Sequence, residues 1–499
     1  MANPIKQLAG DTAIYGLSTI LARVLNFLLV PLYTNILSTA DYGIVTEFLS
    51  YIAILQVVLV LGLETGCFRF ANKEGVDPNK VYSNALVAVF AINAAFFAIL
   101  IIFADPIASA LGYIGHGKTI KYIGGILILD SITAILFARL RQNRQALKFA
   151  IIKTIKIATE LGVNLYLFLG TKPDWMFYFI SKTPDFTYPI FSILVSCVVC
   201  ALIFIPDLLK FTFVFDRKLL RQMLAYSIPL MIAALPGILN DFVDRILFRF
   251  LDTNSEVWQS SLGIFQAAVK LAVIMNLFIQ MFRYAVEPFF FQHAKEKGSG
   301  KLYAKVMNYF TAFCGLVFLG VILYIDVIAL ILGKDFRGAV GVVPIMLLSY
   351  MLLGMLFNVS MWYKLSGKTN MAIYITLTGL LVTIVVNVIF MPKYSYWAAA
   401  YGHLASYLVM FIISAALGQK HYPIPYNWKK LGSIIILMLG VYGLSIWIDN
   451  AFFEAASWDN SGLMAAKLGV HTLLGLVYLG LAYLIIRPNK VEENSLETN

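Results

Sequence analysis

Apolar stretches of helix-spanning length, divided by short polar breaks, recur almost from end to end of this 499-residue chain. A helix rising ~1.5 Å per residue needs about 20 apolar residues to cross ~30 Å of hydrocarbon, so each stretch reads as a transmembrane helix. The pattern predicts about fourteen spans. The first six are Gly10 to Leu37, Tyr42 to Gly66, Val81 to Ala104, Thr119 to Leu140, Ala150 to Gly170 and Tyr188 to Leu209. The next six are Leu224 to Leu251, Leu262 to Val286, Ala304 to Leu332, Ala339 to Trp362, Asn370 to Met391 and Trp397 to Leu417. Leu431 to Ile448 and Leu463 to Ile486 close the series. The predicted fold class is an all-α polytopic membrane protein, with little left over for a soluble catalytic domain.

The hydrophobic fraction of 60% and mean hydropathy of +0.81 exclude an ordinary soluble domain. The net charge of +11 changes the picture only through its placement. With the N-terminus inside, Lys and Arg of the inner loops outnumber those of the outer loops roughly three to one, which is the positive-inside bias. It predicts both termini in the cytoplasm and the loops at Gly115 and Ser255 outside. The basic balance is thus topology rather than a nucleic-acid footprint. The first span is too long for a signal peptide and lacks a small-residue cleavage site, so it is expected to be retained.

The chain carries a trace of internal duplication. Tyr15 corresponds to Tyr226, Tyr42-Gly43-Ile44 to Leu262-Gly263-Ile264, and Arg139-Leu140 to Lys364-Leu365, at a nearly constant spacing. Six spans separate the copies, so the two halves share one orientation, the parallel-repeat plan of many secondary transporters. The expected organisation is an N-terminal lobe over residues 1–215, a C-terminal lobe over 216–425, and two further spans with a polar tail over 426–499.

Two motifs are set aside. Gly112 to Thr119 fits the phosphate-loop pattern, but it joins two membrane spans, faces outside on the charge count and lacks the strand that the mechanism requires. Cys197 and Cys200 form a C-x-x-C in wholly apolar surroundings, which reads as packing rather than redox or metal chemistry. No cofactor and no metal site is expected.

Ionisable residues within spans are more informative, because each costs about 2.5–3.5 kcal/mol on insertion scales and must face protein, water or substrate. Asp241, Asp244, Arg245, Arg249 and Asp252 fall on one face of the seventh span, roughly 140° wide. Asp241 and Arg245, four residues apart, are placed to pair. Thr12, Gly16, Thr19, Arg23 and Asn26 make a polar stripe on the first span. Glu47 and Lys270 enter the second and eighth spans at similar, outer-half depth. Together these suggest a basic, partly paired cavity, the competing reading being ion pairs that only fix packing. The candidate substrate-binding residues are Arg23, Asn26, Lys270, Arg245 and Arg249. The candidate ion- or proton-coupling carboxylates are Asp241, Asp244, Asp130, Glu160 and Glu47. Glu64 and Arg69 are expected to form an interfacial pair.

Asn26 to Thr34, Asp41-Tyr42-Gly43, Gly62 to Thr65 with Phe68-Arg69-Phe70, and Asn240 with Asp244 to Leu247 carry a family resemblance. So do Leu262 to Arg283 and Glu287 to Phe291. The chain resembles the polysaccharide-biosynthesis flippases of the multidrug/oligosaccharidyl-lipid/polysaccharide exporter superfamily, over spans one to twelve. The resemblance implies a V-shaped bundle of two six-helix lobes working by alternating access in the bacterial cytoplasmic membrane. It implies a polyprenyl-diphosphate-linked oligosaccharide, such as an O-antigen unit for lipopolysaccharide, flipped from the cytoplasmic to the outer leaflet. Arg23 and Lys270 match basic cavity positions and would hold the diphosphate. H+ or Na+ coupling and a monomer working beside polysaccharide polymerase machinery complete the picture. The alternatives are a cation-coupled multidrug antiporter of the same superfamily and a membrane glycosyltransferase or ligase. The second needs a sizeable outer loop, and Thr171 to Thr187, with Asp174 and Asp185, is short.

Overall fold

The computed structural model describes residues 21, 24–25, 27–209, 211–253, 257–294, 298–454 and 460–487. Among these every regular element is helical. Arg23 and Asn26 lie outside the described residues, as do Thr12, Gly16, Thr19, the loop at Ser255 and the C-terminal tail.

The elements in chain order begin with α1 (Phe27–Ile36). Then follow α2 (Thr39–Leu59), α3 (Leu63–Ala71), α4 (Pro78–Ile102), α5 (Ala104–Ala110), α6 (Gly117–Gln142), α7 (Ala146–Leu169), α8 (Thr187–Leu209) and α9 (Arg217–Leu251). The remainder are α10 (Trp258–His293), α11 (Ser299–Ile322), α12 (Ile325–Ile328), α13 (Val343–Val359), α14 (Met361–Leu365), α15 (Met371–Tyr394), α16 (Tyr396–His421), α17 (Trp428–Phe452) and α18 (Ser461–Ile486).

Twelve helices are long and apolar enough to cross a membrane among the described residues. The two other predicted spans are helical as far as they are described. The first is described from α1 onward, and the fifth is α7, a 24-residue helix in which Lys153, Lys156 and Glu160 interrupt the apolar run. The protein is a multi-pass helical membrane protein.

Local chemistry sets the helix starts. Ser38 caps α2, its Oγ accepting from the Asp41 amide at 3.0 Å. Asp216 caps α9, accepting from the amides of Lys218 and Leu219 at 2.9 and 3.0 Å. Asp77 caps α4 ahead of Pro78, whose missing N–H falls where the helix has no use for it. At 35 and 36 residues, α9 and α10 exceed the thickness of a hydrocarbon core.

The second span departs from its expected course. Instead of one helix to Gly66, the chain takes a left-handed turn at Leu61 (φ 57°) and Gly62 (φ 65°) before α3. A Cβ on Gly62 would stand 2.6 Å from the Ser227 carbonyl oxygen, so glycine serves both the turn and the close approach of α9.

The chain divides into two compact units. Unit 1 takes its described residues from Met1–Ala267, Leu332–Phe336 and Thr383–Ala399, and unit 2 from Ala268–Ile331, Arg337–Val382 and Ala400–Asn499. In unit 1 one apolar core joins α3, α4, α6 and α8 through Leu63, Tyr82, Leu136 and Phe204. A second joins α2, α5, α6 and α8 through Phe48, Ala104, Leu127 and Ile190. In unit 2, Phe290, Tyr303, Met361 and Ile424 form a core at one end of α10. Lipid tails are as apolar as these side chains, so the cores hold by close van der Waals fit rather than by exclusion of water.

Candidate functional site

The tightest polar constellation lies in unit 1. Two turns into α2, Glu47 is fully buried, and Tyr51, one turn on, donates its hydroxyl to Oε1 at 2.8 Å. Arg249 near the end of α9 grips the same carboxylate, Nε to Oε1 at 2.7 Å and Nη2 to Oε2 at 2.9 Å. Its Nη2 also donates to the Tyr113 hydroxyl at 2.9 Å and its Nη1 to the Leu111 carbonyl at 2.7 Å. Tyr113, in the turn after α5, donates to Glu47 Oε2. Burial, then the Glu47 charge beside it, pushes the Tyr113 phenol up, keeping it a donor. The guanidinium lies 4.7 Å from the Trp258 ring centroid. Arg249 and Glu47, expected as a substrate cation and a coupling carboxylate, are partners of one another here.

Beside this pair α2 and α10 cross at glycine. A Cβ on Gly43 would stand 1.9 Å from the Gln259 carbonyl oxygen, and one on Gly263 1.9 Å from that of Thr39. The two contacts are reciprocal: Gly43 and Gly263 are the matched glycines of the sequence repeat, and Thr39 and Gln259 each precede them by one turn. The two helices therefore approach through a matched pair of backbone contacts. Thr39 Oγ1 donates to Ser260 Oγ at 3.1 Å at the same crossing. Nearby, the Gly333 amide donates to Thr34 Oγ1 at 3.1 Å, and the Phe336 ring meets Tyr42 edge-on at 5.6 Å.

A second network threads α6, α7 and α8. Lys156 pairs with Asp130, and Cys197 donates its thiol to the same carboxylate at 3.3 Å. Glu160 stands one turn beyond Lys156, where its backbone carbonyl accepts from Asn164 Nδ2 at 2.8 Å. Tyr33 on α1 donates to Asn164 Oδ1 at 2.9 Å. Lys156, Asn164 and Tyr33 were not among the sequence candidates. The signal for Lys156 was its place four residues before Glu160, although the carboxylate it takes is on another helix. Cys197 and Cys200 are buried free thiols, and Cys197 does more than pack.

The charged face of α9 is divided. Asp244 is buried and Asp241 exposed. The Arg245 guanidinium lies 4.6 Å from the Phe242 ring centroid. Arg249 turns to α2, and Asp252 Oδ2 accepts from Ser395 Oγ at 2.9 Å. Asn240 Oδ1 accepts from Thr383 Oγ1 at 2.6 Å. Lys270, half-buried, stands in unit 2 on α10.

Two expectations are corrected or refined. Glu64 does not pair with Arg69: it binds Arg141 at 2.9 Å, while Arg69 stacks 4.0 Å over the Tyr226 ring. Five residues apart on α3, the two point about 140° away from each other at ~100° per residue. The phosphate-loop look-alike is a turn ahead of α6, where Lys118 Nζ donates to the Tyr178 carbonyl at 2.7 Å. In the segment between α7 and α8, Asp185 Oδ1 accepts from the Thr187 amide at the start of α8, 2.9 Å away.

The fold is similar to that of solved lipid-flippase and multidrug-transporter structures. It superposes on the lipid II flippase MurJ in its inward closed conformation with a TM-score of 0.72 at 16% identity, covering 94% of this chain and 99% of that one. An inward-facing multidrug resistance transporter of the MATE family gives 0.56 at 13% identity, covering 80% and 97%. The sequence model of the polysaccharide biosynthesis protein family matches residues 8–294, more than half of the chain, and the chain belongs to that family. An uncharacterised membrane protein of Methanocaldococcus jannaschii is 21% identical over 467 residues, covering 86% of this chain and 87% of the relative.

Proposed function

We propose that the protein is a flippase that carries a polyprenyl-diphosphate-linked oligosaccharide from the cytoplasmic to the outer leaflet by alternating access, for cell-surface polysaccharide synthesis. Membership of the polysaccharide biosynthesis family is the observation that carries this reading. The physics supports it. A diphosphate and its sugars cannot cross hydrocarbon unaided, and a transmembrane bundle with charge inside it offers a polar route while the polyprenyl tail stays in lipid. Residues 1–215 and 216–425 are the two lobes in this reading, with 426–499 appended. Arg23, Asn26, Lys270 and Arg245 meet the diphosphate. Asp241, Asp244, Asp130 and Glu160 are the carboxylates available to an ion gradient of H+ or Na+. Arg249 and Glu47 act differently from the other candidates, as a latch between α2 and α9. The protein sits in a bacterial cytoplasmic membrane with both termini inside, performs no covalent chemistry and works as a monomer beside the polymerase.

Purified protein in proteoliposomes, loaded with a fluorescent polyprenyl-diphosphate saccharide, tests this directly. Flipping exposes the saccharide to an added impermeant glycosidase, and protein-dependent cleavage of the protected half is the expected result. The MATE-like fold keeps cation-coupled drug antiport as the second reading. Uptake of a cationic dye against a proton or sodium gradient, with no saccharide flipping, would establish it instead.

A further inference from the structure

One buried titratable side chain plays no part in the preceding reading. His471 on α18 is 3% exposed and lies in unit 2, where α18 meets α17 and the end of α11. Its Nδ1 stands 2.6 Å from the Leu323 carbonyl oxygen, just past α11, and its Nε2 3.0 Å from Asp449 Oδ1 on α17. Lys467, one turn earlier on α18, binds Asp449 Oδ2 at 3.3 Å and Asp326 on α12 at 2.7 Å. Beside them the Tyr324 hydroxyl lies 2.6 Å from Thr472 Oγ1. The charged and titratable groups of this contact are thus Asp326, Asp449, Lys467, His471 and Tyr324.

Both ring nitrogens of His471 face oxygen. A carbonyl oxygen only accepts, so Nδ1 carries a hydrogen. In a neutral ring Nε2 then keeps its lone pair, and that lone pair faces a carboxylate oxygen, with no proton between two acceptors. The contact closes only with one proton more. Imidazole is a stronger base than a carboxylate, so the ring takes that proton and both nitrogens donate. The charges agree. Asp326 and Asp449 bring two negative charges and Lys467 one positive, so the added proton makes the cluster neutral, and a net charge at a poorly solvated helix contact is costly. A metal ion suits the place less well, because the Lys467 ammonium already occupies the second Asp449 oxygen.

We propose that His471 and Asp449 form a proton-binding site that docks α18 against α17 and the end of α11. With the proton bound, the imidazolium donates to the Leu323 carbonyl and to Asp449 at once. Without it, two acceptors oppose each other at 3.0 Å and the contact loosens. Asp449 lies in the last turn of α17 with its side chain 27% exposed, so protons reach the site from the membrane face at which that helix ends. The site is separate from the carboxylates assigned above to an ion gradient, and its role is to hold the last two helices in place.

The test is a pH titration of the detergent-purified, monodisperse full chain carrying nitrogen-15 histidine. Ring-nitrogen NMR reads the protons, and the His471 signal is identified by its loss in His471→Gln. The wild-type ring should carry two protons at the acid end and lose the one on Nε2 as pH rises. The packed state holds this proton, so its contribution to stability is present while the proton is bound and disappears as it leaves. The melting temperature should therefore fall over the same interval. Asp449→Asn is the control that keeps the contact, because its amide can donate to Nε2 while its carbonyl oxygen accepts from Lys467. No further proton is needed there, so this variant should bind the second ring proton at least ~tenfold more weakly, the scale of one adjacent carboxylate. Its melting temperature should fall less with pH. Asp326→Asn, which removes one negative charge from a half-exposed position, should release the proton at a lower pH than wild type. Loss of the Nε2 proton at the same pH in wild type and Asp449→Asn overturns the proposal. So does a pH dependence of melting that Asp449→Asn leaves unchanged, which would reduce the cluster to a packing contact.

Discussion

Arg249 and Glu47, 202 residues apart in sequence, meet as a bidentate ion pair with the carboxylate wholly out of solvent. The pair ties α2 to α9 and, through Tyr113 and Leu111, both helices to the turn after α5. Removing one partner of such a pair strands a buried charge, at a cost of about 3–5 kcal/mol. Arg249→Ala is therefore expected to lower the melting temperature sharply. Glu47→Gln, which keeps the shape and can still accept from Arg249, should cost less. A double-mutant cycle measured by thermal unfolding in detergent checks this, and additive single effects would show that the contact is idle.

The Gly43–Gly263 crossing gives a geometric prediction. Thr39 and Ser260 hydroxyls touch there at 3.1 Å, so Thr39→Cys with Ser260→Cys should form a disulfide on mild oxidation. Gly263→Ala in that background should sharply reduce the yield, because its methyl group meets the Thr39 carbonyl oxygen. Undiminished cross-linking would show that the helices give way at no cost. If α2 and α10 must part during transport, the oxidised double mutant stops flipping and regains it on reduction.

Asp130 and Lys156 separate structure from coupling. Asp130→Asn alone leaves the Lys156 ammonium, 21% exposed, without its carboxylate, and should destabilise unit 1 by several kcal/mol. Asp130→Asn with Lys156→Met removes both charges and should recover most of that loss. A double mutant that is stable yet no longer responds to an imposed proton or sodium gradient assigns coupling to this network. A stable double mutant with an intact response confines the pair to packing.

The last two helices are anchored by charge as well. Lys467 on α18 binds Asp326 at 2.7 Å and Asp449 on α17 at 3.3 Å. His471 faces the same Asp449 carboxylate at 3.0 Å and the Leu323 carbonyl oxygen at 2.6 Å. Lys467→Met should cost about 1–3 kcal/mol, the worth of a charge-assisted hydrogen bond, and expose α17 and α18 to limited proteolysis first. Proteolysis unchanged from wild type would show that helix packing alone holds them.

The sequence by itself determined that the chain lives in a membrane, that it is helical and roughly where most helices begin. The reason is that these properties are local. Hydrocarbon demands an apolar, internally hydrogen-bonded segment whatever its neighbours, and a cap such as Ser38 or Asp216 acts within a few residues. Gly43 and Gly263 were legible as matching positions in the sequence, though not as a contact. What only the tertiary structure decided was the partner of each buried charge. Glu47 went to Arg249, Asp130 to Lys156, and Glu64 to Arg141 rather than to Arg69. The break at Leu61 was hidden too, because the apolar run continues through it. Helical periodicity places a charge on a face and at a depth. Which other helix presents the opposite charge at that depth depends on how the helices cross, and the crossings are set by contacts between residues far apart in the chain.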